Sequence, residues 1–343
     1  MEILGIKFVP LNEPLQKRLQ TLAAGAAVFT MIFGGFIGFI LLAYLIFYTR
    51  YWSVALLYIL WIYVLDVKTG ERGGRGLNSV RSWLWWKYLR DYFPIRLERV
   101  PWVELDPERN YLFCCFPHGI LPIGPFSAFG SSWGGFQELF PNHTPHLLTL
   151  RHNFLMPALR ELILSTGMCS ASANSLNYLL GYPGGGKAIA LVVGGAAEAF
   201  NCKPGQYKII LKKRKGFVKI ALKNGTPLVP VISFGETDLY NQVDNPKGSL
   251  IRCIQDKLKD VTGIAFALPV GCGLFQYSFG IIPLRRRIST IIGRPIEVKR
   301  VSNPTQEQVD ELHAEFMKQL ANLFEEQKYN YLSNPEQTKL IIE

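Results

Sequence analysis

From residue 22 to residue 49 the chain carries no charged side chain, and after Arg50 the apolar run resumes from 51 to 65. A membrane-spanning helix needs about 20 consecutive apolar residues, so the first block suffices and the second is slightly short. The natural partition is a helical hairpin over 21–66, with its turn between 44 and 52. Lys17 and Arg18 precede it, and Lys68, Arg72, Arg75 and Arg81 come after. By the positive-inside rule both flanks belong on the cytosolic side. Arg50 at the turn can snorkel to an interface. A cleaved signal peptide fits poorly, because Glu2, Lys7 and Glu13 come first and the run is too long.

Composition narrows the partners. The 343 residues include 37 Lys and Arg against 26 Asp and Glu, a net charge of +11 that favours anionic partners. Hydrophobic residues make up 49% of the chain, which argues against a nucleic-acid binder and for membrane association. The six cysteines show neither a disulfide framework nor zinc spacing and read as reduced cytosolic thiols. Trp83, Trp85, Trp86, Tyr88, Tyr92 and Phe93, interleaved with Arg81, Lys87 and Arg90, predict an interfacial helix near 79–95 lying on the bilayer.

Beyond residue 110, short β-rich apolar runs alternate with helical patterns. Strands are expected at 111–115, 188–193, 207–211, 228–234 and 289–292, and helices at 156–165, 172–180 and 216–223. This alternation predicts an α/β domain with a mixed, mostly parallel sheet. Thr305 with Gln308 forms a capping box ahead of Val309, Leu312, Phe316, Leu320 and Leu323, a core-packing helix.

Within this domain, residues 112–130 hold one histidine in an apolar run without charge. Pro117 and Gly119 force a turn after the strand and leave His118 on it. A neutral imidazole there can accept a proton, although a lone histidine in an apolar run is more often satisfied by a carbonyl. Glu198 comes after Gly194 and Gly195 just beyond a strand, where it could orient a histidine, bind an acceptor hydroxyl or favour a helix dipole. Lys212, Lys213, Arg214 and Lys215 precede a helix start and suit phosphate groups. Arg285, Arg286 and Arg287 suit lipid headgroups. The segment 181–188 nearly matches a P-loop, but Ala188 replaces the magnesium-binding hydroxyl residue and the helix precedes the strand, so nucleotide hydrolysis is rejected. A lipid hydrolase lacks a Gly-x-Ser-x-Gly elbow.

Several blocks in order resemble the type-2 diacylglycerol acyltransferase family, which includes monoacylglycerol and wax-alcohol acyltransferases. They are Gly73-Gly74-Arg75, Arg90-Asp91-Tyr92-Phe93-Pro94-Ile95, Pro117-His118-Gly119, Met156-Pro157-Ala158-Leu159-Arg160-Glu161, Val193-Gly194-Gly195-Ala196-Ala197-Glu198, the block from Arg214 to Phe234-Gly235-Glu236, and Phe275-Gln276-Tyr277-Ser278-Phe279-Gly280. Phe116 replaces the first histidine of the family's usual His-Pro-His-Gly. The more distant glycerolipid acyltransferases carry an aspartate five residues after the histidine, and here that position is Ile123, so any orienting carboxylate comes from elsewhere, with Glu198 the candidate.

The resemblance implies a cytosolic N-terminus over 1–20, the membrane hairpin, and an acyltransferase domain over 67–343. It implies acyl transfer from acyl-CoA to the hydroxyl of a neutral lipid, diacylglycerol first, with monoacylglycerol or a long-chain alcohol as alternatives and a silent lipid-binding member as a rival. His118 is then the general base, backbone amides near Gly119 or Gly194 and Gly195 meet the oxyanion, and the cations from Lys212 to Lys215 meet coenzyme A. Pro117 and Arg160 take structural or substrate-orienting roles. No metal or cofactor is expected, membrane lipid is a partner, nucleic acid is not, and a homo-oligomer stays open. The implied location is the endoplasmic reticulum membrane and the lipid droplet surface, with the active site cytosolic.

Overall fold

A computed structural model describes residues 2–101, 104–242, 248–262 and 268–343. After a short two-stranded turn at residues 2–7, the amino-terminal part is helical: α1 (Leu15–Tyr48), α2 (Trp52–Leu60) extended by a π-turn at Trp61–Leu65, and α3 (Leu84–Tyr92). Both apolar segments, Leu15–Tyr48 and Trp52–Glu71, are long and apolar enough to cross a membrane by length and composition. The chain reverses between them at residues 49–51, inside the expected window, while α1 starts seven residues before the uncharged run.

The strands of the remaining chain are β1 (Arg96–Arg99), β2 (Tyr111–Phe116), β3 (Thr144–Thr149), β4 (Cys169–Ser170), β5 (Lys187–Val192), β6 (Tyr207–Ile209), β7 (Leu228–Phe234), β8 (Asn241–Gln242), β9 (Pro269–Val270), β10 (Ser289–Ile292) and β11 (Leu340–Ile342). Its helices include α4 (Leu159–Ser165), α5 (Ala173–Leu180), α6 (Ala196–Ala199), α7 (Gly216–Asn224), α8 (Leu250–Thr262) and α9 (Gln306–Tyr331).

Seven strands form the main sheet in the order β1-β10-β7-β2-β5-β3-β4. Only the β10–β7 pairing is antiparallel, so the sheet is mixed and mostly parallel, as expected. β2 and β7 are buried along their whole length, which explains why they read as unbroken apolar runs: parallel strands covered on both faces have no solvent side. On the α9 side, Phe116 packs against Phe316 and Phe316 against Phe217. The Thr305 capping box forms as its spacing predicts.

One expectation is corrected. The 156–165 helix begins only at Leu159, because Pro157 carries no N–H and Ala158 sits at φ 63°. This irregular stretch is where α1 docks: a Cβ on Gly38 would stand 2.0 Å from the Pro157 carbonyl oxygen, so only glycine permits the approach. The segment near 79–95, expected as an interfacial helix, packs one face on α1. It breaks into a turn at Asn78–Arg81 and α3, whose Trp86, Leu89 and Tyr92 are buried in a cluster with Ala24 of α1. Trp83 and Leu84, at the start of the segment, remain exposed.

Candidate active site

Three adjacent parallel strands, β5, β2 and β7, deliver their carboxyl-terminal loops to one place. In open α/β sheets that edge is where ligands bind. The middle loop carries His118, the β5 loop leads into α6 with Glu198, and the β7 loop carries Glu236. The two carboxylates reach inward on either side of the histidine turn and hold its backbone.

Glu198 Oε2 accepts the His118 N–H at 2.7 Å, and its Oε1 accepts the Ile210 N–H at 2.8 Å. Both oxygens are therefore engaged by main chain, and Glu198 fixes the peptide that bears the ring. Gly194 is required beneath it, since a Cβ there would fall 1.8 Å from Oε1. Gly195, the residue before α6, adopts φ 63° and ψ −168°, a conformation essentially confined to glycine.

Glu236 works from the other side. Its Oε1 accepts the Ile123 N–H at 2.6 Å and its Oε2 accepts the Gly124 N–H at 3.0 Å. A carboxylate thus sits against the Ile123 backbone, supplied by the loop after β7. Glu236 also packs on Gly119, where a Cβ would meet its Cγ at 3.1 Å; Gly119 itself has φ +64°. In the sequence Glu236 stands only as the end of a family block, with no role of its own. The signal that could have found it is the one that marks Glu198: a carboxylate just past a strand and a glycine.

His118 is half-buried, and its Nδ1 lies 3.1 Å from the Gly119 carbonyl oxygen. With Nδ1–H donating to that oxygen, Nε2 keeps its lone pair. Burial holds the imidazole below its ordinary value, against the pull of the Gly119 carbonyl, and so keeps it neutral. Burial also raises Glu198 to about 7, against the His118 and Ile210 N–H groups and the nearby Arg214 charge, and Glu236 to about 8, against the Gly124 and Ile123 N–H groups. The peptide before Pro117 is cis.

The cationic run is joined to this centre through Ile210. Lys212, Lys213 and Arg214 are exposed, whereas Lys215 is paired with Asp310 of α9 at 2.7 Å. α7 starts at Gly216 without a side-chain cap, so its first N–H groups remain open beside three exposed cations. Arg160 lies elsewhere. It is 1% exposed, donates to Asp66 and Glu161 at 2.6 Å each and to the Phe154 carbonyl at 3.1 Å, and ties α4 to the end of the hairpin rather than facing a ligand. Arg285 bonds Gln20 and the Lys17 carbonyl and stacks on Tyr92, while Arg286 and Arg287 are exposed. Among the described residues no three His, Cys, Asp or Glu side chains converge as a metal site.

Comparison with known proteins adds an independent line. A family profile described as diacylglycerol acyltransferase matches residues 44–343. The 2-acylglycerol O-acyltransferase 1 of Bos taurus is 44% identical over 98% of this chain and 99% of its own. The diacylglycerol O-acyltransferase 2 of Dictyostelium discoideum is 44% identical over 94% of this chain and 96% of its own. Among solved structures, the 1-acyl-sn-glycerophosphate acyltransferase PlsC of Thermotoga maritima aligns over 89% of this chain and 95% of its own, with 15% identity and a TM-score of 0.40, too low to bear on fold or site.

Proposed function

The chain belongs to the diacylglycerol acyltransferase family, and from that premise we propose that it transfers a fatty acyl group from acyl-CoA to the hydroxyl of a neutral lipid, diacylglycerol first. Monoacylglycerol is the second acceptor to consider, since a relative of equal identity is named for it; a long-chain alcohol is the third. The observation that carries the reading is His118, whose Nδ1 is engaged on Gly119 and whose backbone is held by a buried glutamate, with Nε2 left to accept a proton.

In this mechanism Nε2 takes the acceptor's hydroxyl proton as the oxygen attacks the thioester carbonyl. Backbone N–H groups at Gly119 or at Gly194 and Gly195 are the candidate donors to the oxyanion. Collapse breaks the carbon–sulfur bond, and the imidazolium returns its proton to the departing thiolate. The thioester is already activated, so the step as written uses neither metal nor cofactor. Lys212, Lys213 and Arg214, with the open end of α7, receive the coenzyme A phosphates. Glu198 and Glu236 are positioning residues, and Arg160 is structural.

The same reading places α1 and α2 in the bilayer. Many apolar side chains of residues 29–48 are exposed, as a segment placed in hydrocarbon requires. Residues 52–65 reach only about 21 Å, which draws the catalytic domain against the headgroups. Cations on both flanks support a cytosolic placement of both ends and of the active site, and the family supports the endoplasmic reticulum membrane or a lipid droplet as the location. The test is incorporation of labelled acyl-CoA by isolated membranes offered each of the three alcohols. Triacylglycerol as the main product is expected; no incorporation into any acceptor would leave a silent lipid-binding protein.

A further inference from the structure

α8 is amphipathic the wrong way round for a helix resting on a soluble surface. Gln255 is 4% exposed and faces the protein, as does Arg252, whose guanidinium lies 5.1 Å over the Phe200 ring and donates to Asn201 Oδ1 at 3.2 Å. Leu250, at 77% exposed, and Ile254, at 52%, point outward together with Ile251. A helix covered by nothing else should turn its apolar stripe to the core. Here the stripe is presented to the surroundings and the polar face is used for docking.

The neighbouring segment of chain indicates the occupant. α8 is the excursion between the paired strands β8 and β9, and β9 runs directly into a loop that exposes Phe275 at 74%, with Tyr277 and Phe279. That loop is packed on α1: Ile282 and Leu274 approach Gly25, and the Phe275 carbonyl accepts the Val9 N–H. Arg286 and Arg287, both exposed, close the loop with positive charge suited to anionic headgroups. The loop that follows β9 is therefore fastened to the helix that enters the bilayer.

We propose that α8 is a membrane-surface helix, its Leu250, Ile251 and Ile254 stripe lying in the headgroup boundary of the leaflet that receives α1. Its opposite face rests on Phe200 and Asn201, and the Asn201 N–H donates to the Glu198 carbonyl at 3.0 Å, so the helix joins the bilayer surface to the segment that grips the histidine turn. This inference rests on the proposed membrane placement of α1 and α2 but not on the proposed catalysis.

The chain supplies its own probe. Cys253 on α8 is exposed and the other five cysteines are buried, so the full-length protein can be labelled there with an environment-sensitive nitrobenzoxadiazole fluorophore. In vesicles of phosphatidylcholine and phosphatidylserine, the emission should be blue-shifted and quenched at least twofold by lipids brominated near the headgroup. Ile254→Glu should return it towards the emission in water. A parallel sample, Phe36→Cys with Cys253→Ser, reports the hairpin. A label at 253 that stays water-like and is quenched by iodide overturns the inference, while quenching at 36 shows that the membrane placement of the hairpin survives. A blue shift without lipid quenching also overturns it, because a second copy of the chain would then cover the stripe. Persistence of lipid quenching in Ile254→Glu overturns the role of the stripe.

Discussion

At the scale of residues, the site is an imidazole on a turn whose backbone is tied down on both sides. Because burial lowers the His118 value, its neutral form persists into mild acid. The acid limb of acyl transfer should therefore fall below the ordinary imidazole value of about 6.5. A limb well above 6.5, measured as kcat/KM against pH, would contradict a buried neutral base. Glu236 gives a second test. Replacing it by Gln removes the acceptor for one of two buried N–H groups, an omission that costs about 1–3 kcal/mol. We expect kcat in Glu236→Gln to fall roughly ten- to a hundredfold with little change in KM for acyl-CoA. The acid's raised value adds a stability signature. A group raised in the folded state stabilises fully below its unfolded value and loses that contribution as pH rises through its folded one, here from 4.5 to about 8. Thermal midpoints should decline over that window in the parent protein and less so in Glu236→Gln; parallel profiles would remove Glu236 from this role. None of this is legible in the sequence, because the Glu236 partners lie more than 110 residues away and a strand-end carboxylate does not reveal whether it meets a ring or a backbone.

At the scale of elements, the strands at 111–115, 188–193, 228–234 and 289–292 are readable because buried parallel strands are short unbroken apolar runs. β3 is not, since Pro145 and His146 interrupt its run although both are buried in place. The late start of the 156–165 helix follows from Pro157 and from Ala158 at φ 63°, whereas the burial of one face of α3 comes from the docking of α1, which no local pattern in that segment encodes. That docking is open to a paired substitution. Gly34 and Gly38 lie one turn apart on α1; a Cβ on Gly34 meets nothing nearer than 3.4 Å, whereas on Gly38 it would meet backbone at 2.0 Å. Alanine favours a helix over glycine by about 0.8–1.0 kcal/mol. Gly34→Ala should thus be neutral or mildly stabilising in detergent melts, and Gly38→Ala should lower the midpoint by several degrees. Equal behaviour of the two would mean that α1 does not seat on residues 156–158.

At the scale of the whole molecule, function depends on which side of the membrane the histidine faces. The proposed acyl donor is cytosolic, and the cations on both flanks of the hairpin are the sequence feature from which orientation is expected. Two glycosylation sequons report on it: Asn142 is exposed, whereas the Asn224 side chain is bonded to Asn177 and the Ile220 carbonyl. An endoglycosidase should leave the protein's mobility unchanged, and a glycan on Asn142 would place the catalytic domain in the lumen. An expected orientation can be read from charge, but the gathering of three strand ends around His118 needs the strand order. The most direct test of that centre is acyl transfer in membranes carrying His118→Ala at matched abundance, with sequon and protease mapping showing unchanged insertion. Loss of a positioned base predicts a fall of about a hundredfold to ten-thousandfold in labelled neutral-lipid product. Turnover within a few-fold of the parent protein would contradict the assignment of His118 as the base.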